Sequence, residues 1–198
     1  MNFEPGEIYH VYNRGNNSQN IFFERINYLY FLKKMSTHIL NCADILAWCL
    51  MKNHFHWMIR VKDDDQCRNE TDKISTLNKD IATLLSSYTK AINRKYSRTG
   101  SLFQQKTRAI KLNSDKSADE YYPLICFNYI HQNPLKAKIV RRLNEYEFSS
   151  FSDYAGYRNG KLCNQPLATN LLDLPESSEE FERMSYQMIP EHLSRSLI

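Results

Sequence analysis

A chain of 198 residues can bury one core of ordinary domain size and does not require a second domain. Its 42% hydrophobic and 24% charged residues are those of a soluble globular protein and exclude a disordered or fibrous chain, while 13% aromatic residues is high enough to suggest a dense core or stacking on bases. The net charge of +4 hides an asymmetry: Lys73 to Lys116 hold ten Lys or Arg against two Asp, and the residues from Asn164 onward hold six acidic side chains against two Arg.

The N-terminal stretch MNFEPGEIYHVYNRG has no basic segment followed by a long apolar core, and no apolar run approaches the roughly eighteen residues of a membrane span, so a cytoplasmic protein is expected. EIYHVYNRG alternates and stops at Gly15, which predicts a first strand and a tight turn. From about Glu24 to Leu40, Tyr28, Leu32, Met35 and Ile39 recur at helical spacing. ADILAWCLM predicts a second strand, and Lys52-Asn53 a hairpin turn into a third, MKNHFHWMIRV. A second helix is predicted near Ile74 to Tyr96, with Ile74, Leu77, Ile81, Leu84, Tyr88 and Ile92 as its buried stripe, and KTRAIKL alternates as a fourth strand. A third helix begins near Asp119 and is expected to stop at Pro134. The order is βαββαβ, that of a ferredoxin-like α+β sandwich with an antiparallel sheet and helices on one face. Residues 1–158 are assigned to this domain and 159–198 to a C-terminal extension, in which LPESSEEFERMSYQM predicts a short capped helix. Five cysteines without CxxC spacing predict reduced thiols.

Two histidines two residues apart on a strand share a face, about 6 to 7 Å from each other, and can share a metal ion. Taken alone, His54 and His56 fit a half-buried strand slightly better than a metal site. In the third helix, Tyr129 and Asn133 are four apart and also share a face. Two imidazoles, an amide oxygen and a phenol on facing surfaces suit phosphodiester cleavage by a tyrosine nucleophile. A divalent cation, Mg²⁺ or Mn²⁺, would withdraw charge from the phosphate, and no nucleotide cofactor is needed. Asn133 before Pro134 equally suits a helix C-terminus. Tyr121 and Tyr122 are rival nucleophiles, although Tyr122 has no polar partner four residues on. His131 should point away from the Tyr129 face, and His10 reads as packed or hydrogen-bonded.

With these residues in place, the sequence resembles the single-tyrosine HUH transposases, and within them the REP-associated tyrosine transposases. YHVYNRGNN, CLMKNHFHWMI, SSYTKAINRKYSRTGSLFQ, FNYIHQNPLKAKIV and YEFSSFSDY occur in the family's order between about Ile8 and Tyr157. The resemblance implies His54, His56 and Asn133 as metal ligands and Tyr129 as nucleophile. It also implies single-stranded DNA with hairpins as substrate, a 5′-phosphotyrosine intermediate, and a monomer, with a dimer as the alternative. Where the family often has GHLFQGR this chain has GSLFQQK, so Ser101, Gln105 and Lys106 bear on DNA preference more than on the chemistry. The basic surface assigned to DNA comprises Ser87, Lys90, Arg94, Lys95, Arg98, Lys106 and Arg108, with Asn13 and Arg14 near bases. A non-catalytic nucleic-acid-binding module on the same sandwich is the rival reading. A zinc-stabilised domain using Cys49, His54 and His56 is a third, weakened by the lack of a fourth ligand.

Overall fold

A computed structural model describes residues 1–63, 76–112 and 122–197; Cys67, Ile74, Asp119 and Tyr121 lie outside the described residues. Strands β1 (Ile8–Arg14), β2 (Ala43–Met51), β3 (His54–Val61) and β4 (Arg108–Lys111) form one antiparallel sheet in the order β2-β3-β1-β4. Helix α1 (Arg25–His38) joins β1 to β2, and α2 (Thr76–Lys95) lies between β3 and β4, which completes the expected ferredoxin-like sandwich. The turn after β1 depends on Gly15, because a Cβ there would sit 2.1 Å from the Gln19 carbonyl oxygen.

Strand alternation sends Val11, Leu50, Phe55, Trp57 and Ile59 to the face covered by α1 and α2. The α2 stripe Leu77, Ile81, Leu84, Tyr88 and Ile92 is buried there as its spacing predicts. Of the residues predicted on α1, Met35 and Ile39 are buried, joined by Asn27 and Phe31, while Tyr28 and Leu32 are partly buried. Tyr28 is drawn to the flank, where its ring stacks on Phe148 and Phe22 with centroids 3.9 and 4.2 Å away. Much of the aromatic excess is spent in this core. Phe55 stacks on Trp57 at 4.3 Å, and Phe31 meets Tyr88 edge-on at 4.9 Å. Tyr88 Oη donates to the Ile21 carbonyl at 2.7 Å, so its burial leaves no hydroxyl unsatisfied.

The other face of the sheet is also covered. Helix α3 (Tyr122–Lys136) lies across it, followed by α4 (Phe151–Tyr154), α5 (Gln165–Leu172), α6 (Ser178–Ser185) and α7 (Glu191–Ser196). A bulge between Ile45 and Ala47 turns both Leu46 and Ala47 toward this side. Leu172, Phe181 and Leu197 of the extension share this second core with Phe127 and Ile130 of α3. Gln132 Nε2 donates to the Ser185 and Gln187 carbonyls at 2.8 and 2.9 Å. The segment around Ser149 protects the edge of β2: Leu50 N donates to Phe148 O and Ser150 N to Trp48 O, both at 2.9 Å. The predicted capped helix is α6, whose N-cap Ser177 accepts from Glu180 N at 3.3 Å.

Two expectations fail. Helix α3 does not stop at Pro134 but runs on to Lys136. So close to the end the missing N–H of proline costs one hydrogen bond, and the helix closes at Lys138, whose φ is +55°, with Ala137 N still bonded to Asn133 O at 2.9 Å. Asn133 is therefore inside the helix and is not its C-cap. Cys49, Cys126 and Cys163 are buried free thiols, but Cys42 is disulfide-bonded. Sequence spacing does not register a pair that only the fold brings together.

Candidate active site and nucleic-acid groove

Pairing of the strands aligns Cys49, His56, Tyr12 and Arg108 in one row across all four strands, with Met51, His54 and Arg14 in the next row but one. Both rows face α3. The His54 and His56 ring centroids are 5.1 Å apart, and the Tyr129 ring meets His56 edge-on at 5.6 Å. One turn along α3, Asn133 Nδ2 donates to the Tyr129 carbonyl at 2.9 Å, and the Asn133 side chain also interacts with His54 and with the Tyr129 hydroxyl. The structure thus brings His54, His56, Tyr129 and Asn133 together.

Both imidazoles are held neutral. Burial is the main cause, and it pushes His56 well below the usual histidine range, with His10 and His54 adding to the effect. His54 is lowered by burial and by Arg14, against a rise from Asn133. His54 Nδ1 lies 2.7 Å from Asn53 Oδ1, an atom that can only accept, so Nδ1 carries the proton and Nε2 keeps its lone pair. Asn133 raises His54, the effect of an acceptor, so its Oδ1 faces the ring. Two acceptors converge, an arrangement that a cation between them relieves. Among the described residues no group of three or more His, Cys, Asp or Glu is arranged to hold a metal, and the Asn133 amide is the further polar group beside His54. Cys49 shares the row with His56, but burial pushes its thiol up, which disfavours the thiolate a zinc site needs.

Tyr129 is buried, and its hydroxyl is pushed up to about 12, by burial first and against the lowering by Asn133. Lys136, two turns further along α3, holds Nζ 5.1 Å from the Tyr129 ring centroid. His131 points away, as its spacing predicts, and is buried with Nε2 2.7 Å from Ser150 Oγ. The rival Tyr122 is buried at the start of α3.

A groove of about 1120 Å³ runs between α2 and the segment that leads into β4. Lys90, Lys106 and Arg108 line it, together with Ser86, Thr89 and Asn93. Arg94 lies with Lys90 in a shallower depression beside it. Arg108, at the β4 edge of the groove, belongs to the strand row containing Tyr12 and His56. Ser101, Gln105 and Lys106, the positions that depart from the family pattern, also line it.

Other predicted contacts are spent internally. Asn13 borders the groove, yet its Nδ2 donates to Thr107 Oγ1 at 2.9 Å and Gln104 O at 3.2 Å, while its Oδ1 accepts from Arg14 N at 2.7 Å. Ser87 Oγ turns back to the Leu84 carbonyl at 3.1 Å. Lys95 pairs with Glu24 at 2.8 Å, and Arg98 bonds Gln19 beneath the Phe23 ring. Arg14 stays exposed beside His54, with Nη2 2.5 Å from Ser18 Oγ. Sequence reasoning missed Tyr12 and Lys136 as neighbours of the site. The spacing of Lys136, seven residues after Tyr129 and hence on the same helix face, was the available signal.

The fold and these side chains define a ferredoxin-like α+β protein with a histidine pair on the sheet face that a tyrosine-bearing helix crosses. A solved structure of a REP-associated tyrosine transposase bound to a REP hairpin has this fold: the match has a TM-score of 0.57 at 15% identity and covers 79% of this chain and 83% of that one. No protein-family model and no curated protein matches the chain.

Proposed function

We propose that this protein is a metal-dependent endonuclease and strand transferase acting on single-stranded DNA beside hairpins, with Tyr129 as nucleophile. The observation that carries the reading is the placement of Tyr129 against His56, with Asn133 in reach of both Tyr129 and His54. His54 and His56, through Nε2, and Asn133, through Oδ1, would hold a divalent ion, Mg²⁺ or Mn²⁺. When bound, that ion supplies positive charge to the non-bridging phosphate oxygens and to the tyrosine oxygen. Tyr129 Oη then attacks phosphorus and the bond to the 3′ oxygen breaks, leaving a 5′-phosphotyrosine and a free 3′ hydroxyl. The phenol gives its proton to water as it attacks and the departing 3′ oxygen takes one up from water; burial raises the phenol's pKa and a nearby cation would oppose that. Lys90, Lys106 and Arg108 would hold the backbone of the DNA on its way to the site.

The experiment is incubation of the protein with end-labelled hairpin DNA and Mn²⁺, followed by a denaturing gel. A covalent adduct lost in Tyr129→Phe supports the reading. The rival, a non-catalytic DNA-binding module, draws on the burial of Tyr129, and it prevails if hairpins bind and no adduct forms in any divalent ion.

A further inference from the structure

His10 stands on β1, next to the histidine pair but outside the set that would touch metal or DNA. It is completely buried, and its Nε2 lies 2.9 Å from His56 Nδ1. The two rings are nearly coplanar, 20° apart with centroids at 5.0 Å, so the contact is a bond in the ring planes. Both side chains rise from adjacent paired strands, His10 opposite Met58 and Tyr12 opposite His56. The sheet therefore fixes their separation. Tyr12 stacks against the outer side of His10 with centroids 4.9 Å apart, which leaves the ring little freedom to turn. Ile8 and Met58 lie in the same core, where an apolar residue at position 10 would pack without a buried polar atom to satisfy.

A bond between two imidazole nitrogens needs one donor and one acceptor, and with both rings neutral two arrangements exist. If His10 donated, His56 would carry its own proton on Nε2, the atom needed as a metal ligand, and His10 Nδ1 would present a lone pair. If His56 donates, its Nε2 is bare and His10 carries its proton on Nδ1. His10 Nδ1 has no partner of full hydrogen-bond geometry, so it does not decide between the two. Only the second arrangement keeps the 2.9 Å bond and leaves His56 Nε2 bare as a metal ligand requires. We propose that His10 is a positioning residue whose Nε2 accepts the Nδ1 proton of His56, which fixes the tautomer and aim of His56 for a divalent ion. The proposal rests on the reading of His54 and His56 as metal ligands, where an imidazole needs a partner for its second nitrogen. A carboxylate or carbonyl usually fills that role, and here a second histidine would.

The test uses the full chain labelled with ¹⁵N at histidine. In the metal-free protein a long-range proton–nitrogen NMR spectrum should show His56 protonated at Nδ1 and bare at Nε2. Two variants separate positioning from packing. His10→Gln places an amide oxygen near the position of Nε2 and should keep Mn²⁺ affinity close to wild type by calorimetry. His10→Leu offers no acceptor and should weaken it by about 10- to 100-fold while keeping the near-ultraviolet circular dichroism of the folded chain. A wild-type His56 protonated at Nε2 would overturn the proposal. So would a folded His10→Leu that binds Mn²⁺ as tightly as wild type, or a His10→Gln as weak as His10→Leu. Wild-type protein that bound no Mn²⁺ would defeat the metal reading itself, and the tautomer of His56 would still decide what His10 does.

Discussion

Replacing Lys90, Lys106 and Arg108 together by Ala tests whether the groove is the DNA path. All three are exposed and line the same groove, and none has an ion-pair partner among the described residues. Each phosphate neutralised releases counterions and adds about 0.7 to the logarithmic salt slope on a single strand, or about 0.9 on a duplex stem. Three lost contacts should therefore flatten the slope by about 2 to 3. Between about 50 and 200 mM salt, wild-type affinity should then fall about 30-fold more than that of the variant. Lys95→Ala with Arg98→Ala is the matched control, since Glu24 and Gln19 already hold those cations, and its slope should stay near wild type. Fluorescence anisotropy of a labelled hairpin across a salt series reads both, with a scrambled hairpin showing a similar loss because phosphates carry no sequence. An unchanged slope in the triple variant, or an equal flattening in the control, would refute the assignment of the groove.

Tyr129→Phe should abolish covalent adduct formation and leave hairpin affinity nearly unchanged, because only the nucleophilic oxygen is removed; an active variant would return attention to Tyr122. His54→Ala and His56→Ala should each lose Mn²⁺ binding and cleavage together, and calorimetry showing wild-type binding in either would make the pair structural. Ultraviolet titration of the metal-free protein should show the Tyr129 phenolate, identified as the difference from Tyr129→Phe, only near pH 12. A phenolate appearing near pH 10 would mean that burial does not control it. His131 is buried and held down to about 3, against roughly 6.5 in an unfolded chain. The unfolded state therefore binds the extra proton first, and stability present above about pH 6.5 is lost as pH falls toward 3, by about 1.4 kcal/mol per pH unit for this group. Urea midpoints at pH 7 and 5 should fall less steeply in His131→Gln, and equal slopes would contradict this account.

The sequence by itself determined most of the sandwich, because amphipathic periodicity is a local record of which side of an element meets the core. The strands β1, β2 and β3, the α2 stripe and the Lys52-Asn53 turn follow from it. Spacing also placed Tyr129 with Asn133 and His54 with His56, since two residues on a strand and four on a helix each return to the same face. That the two faces meet was decided only when α3 packed across the sheet, and helical spacing carries no information about that partner. Register was equally out of reach. Nothing local says that Tyr12 stands opposite both His56 and Arg108, which ties the groove to the histidines and puts His10 against His56. Tertiary contacts also chose among the cations: Lys95 and Arg98 read like Lys90 and Arg108 in the sequence, but Glu24 and Gln19, more than seventy residues earlier, claim them. Asn13 was lost to recognition for the same reason, because the segment leading into β4 folds back and consumes its amide, and only a long-range contact can satisfy a buried polar group in that way.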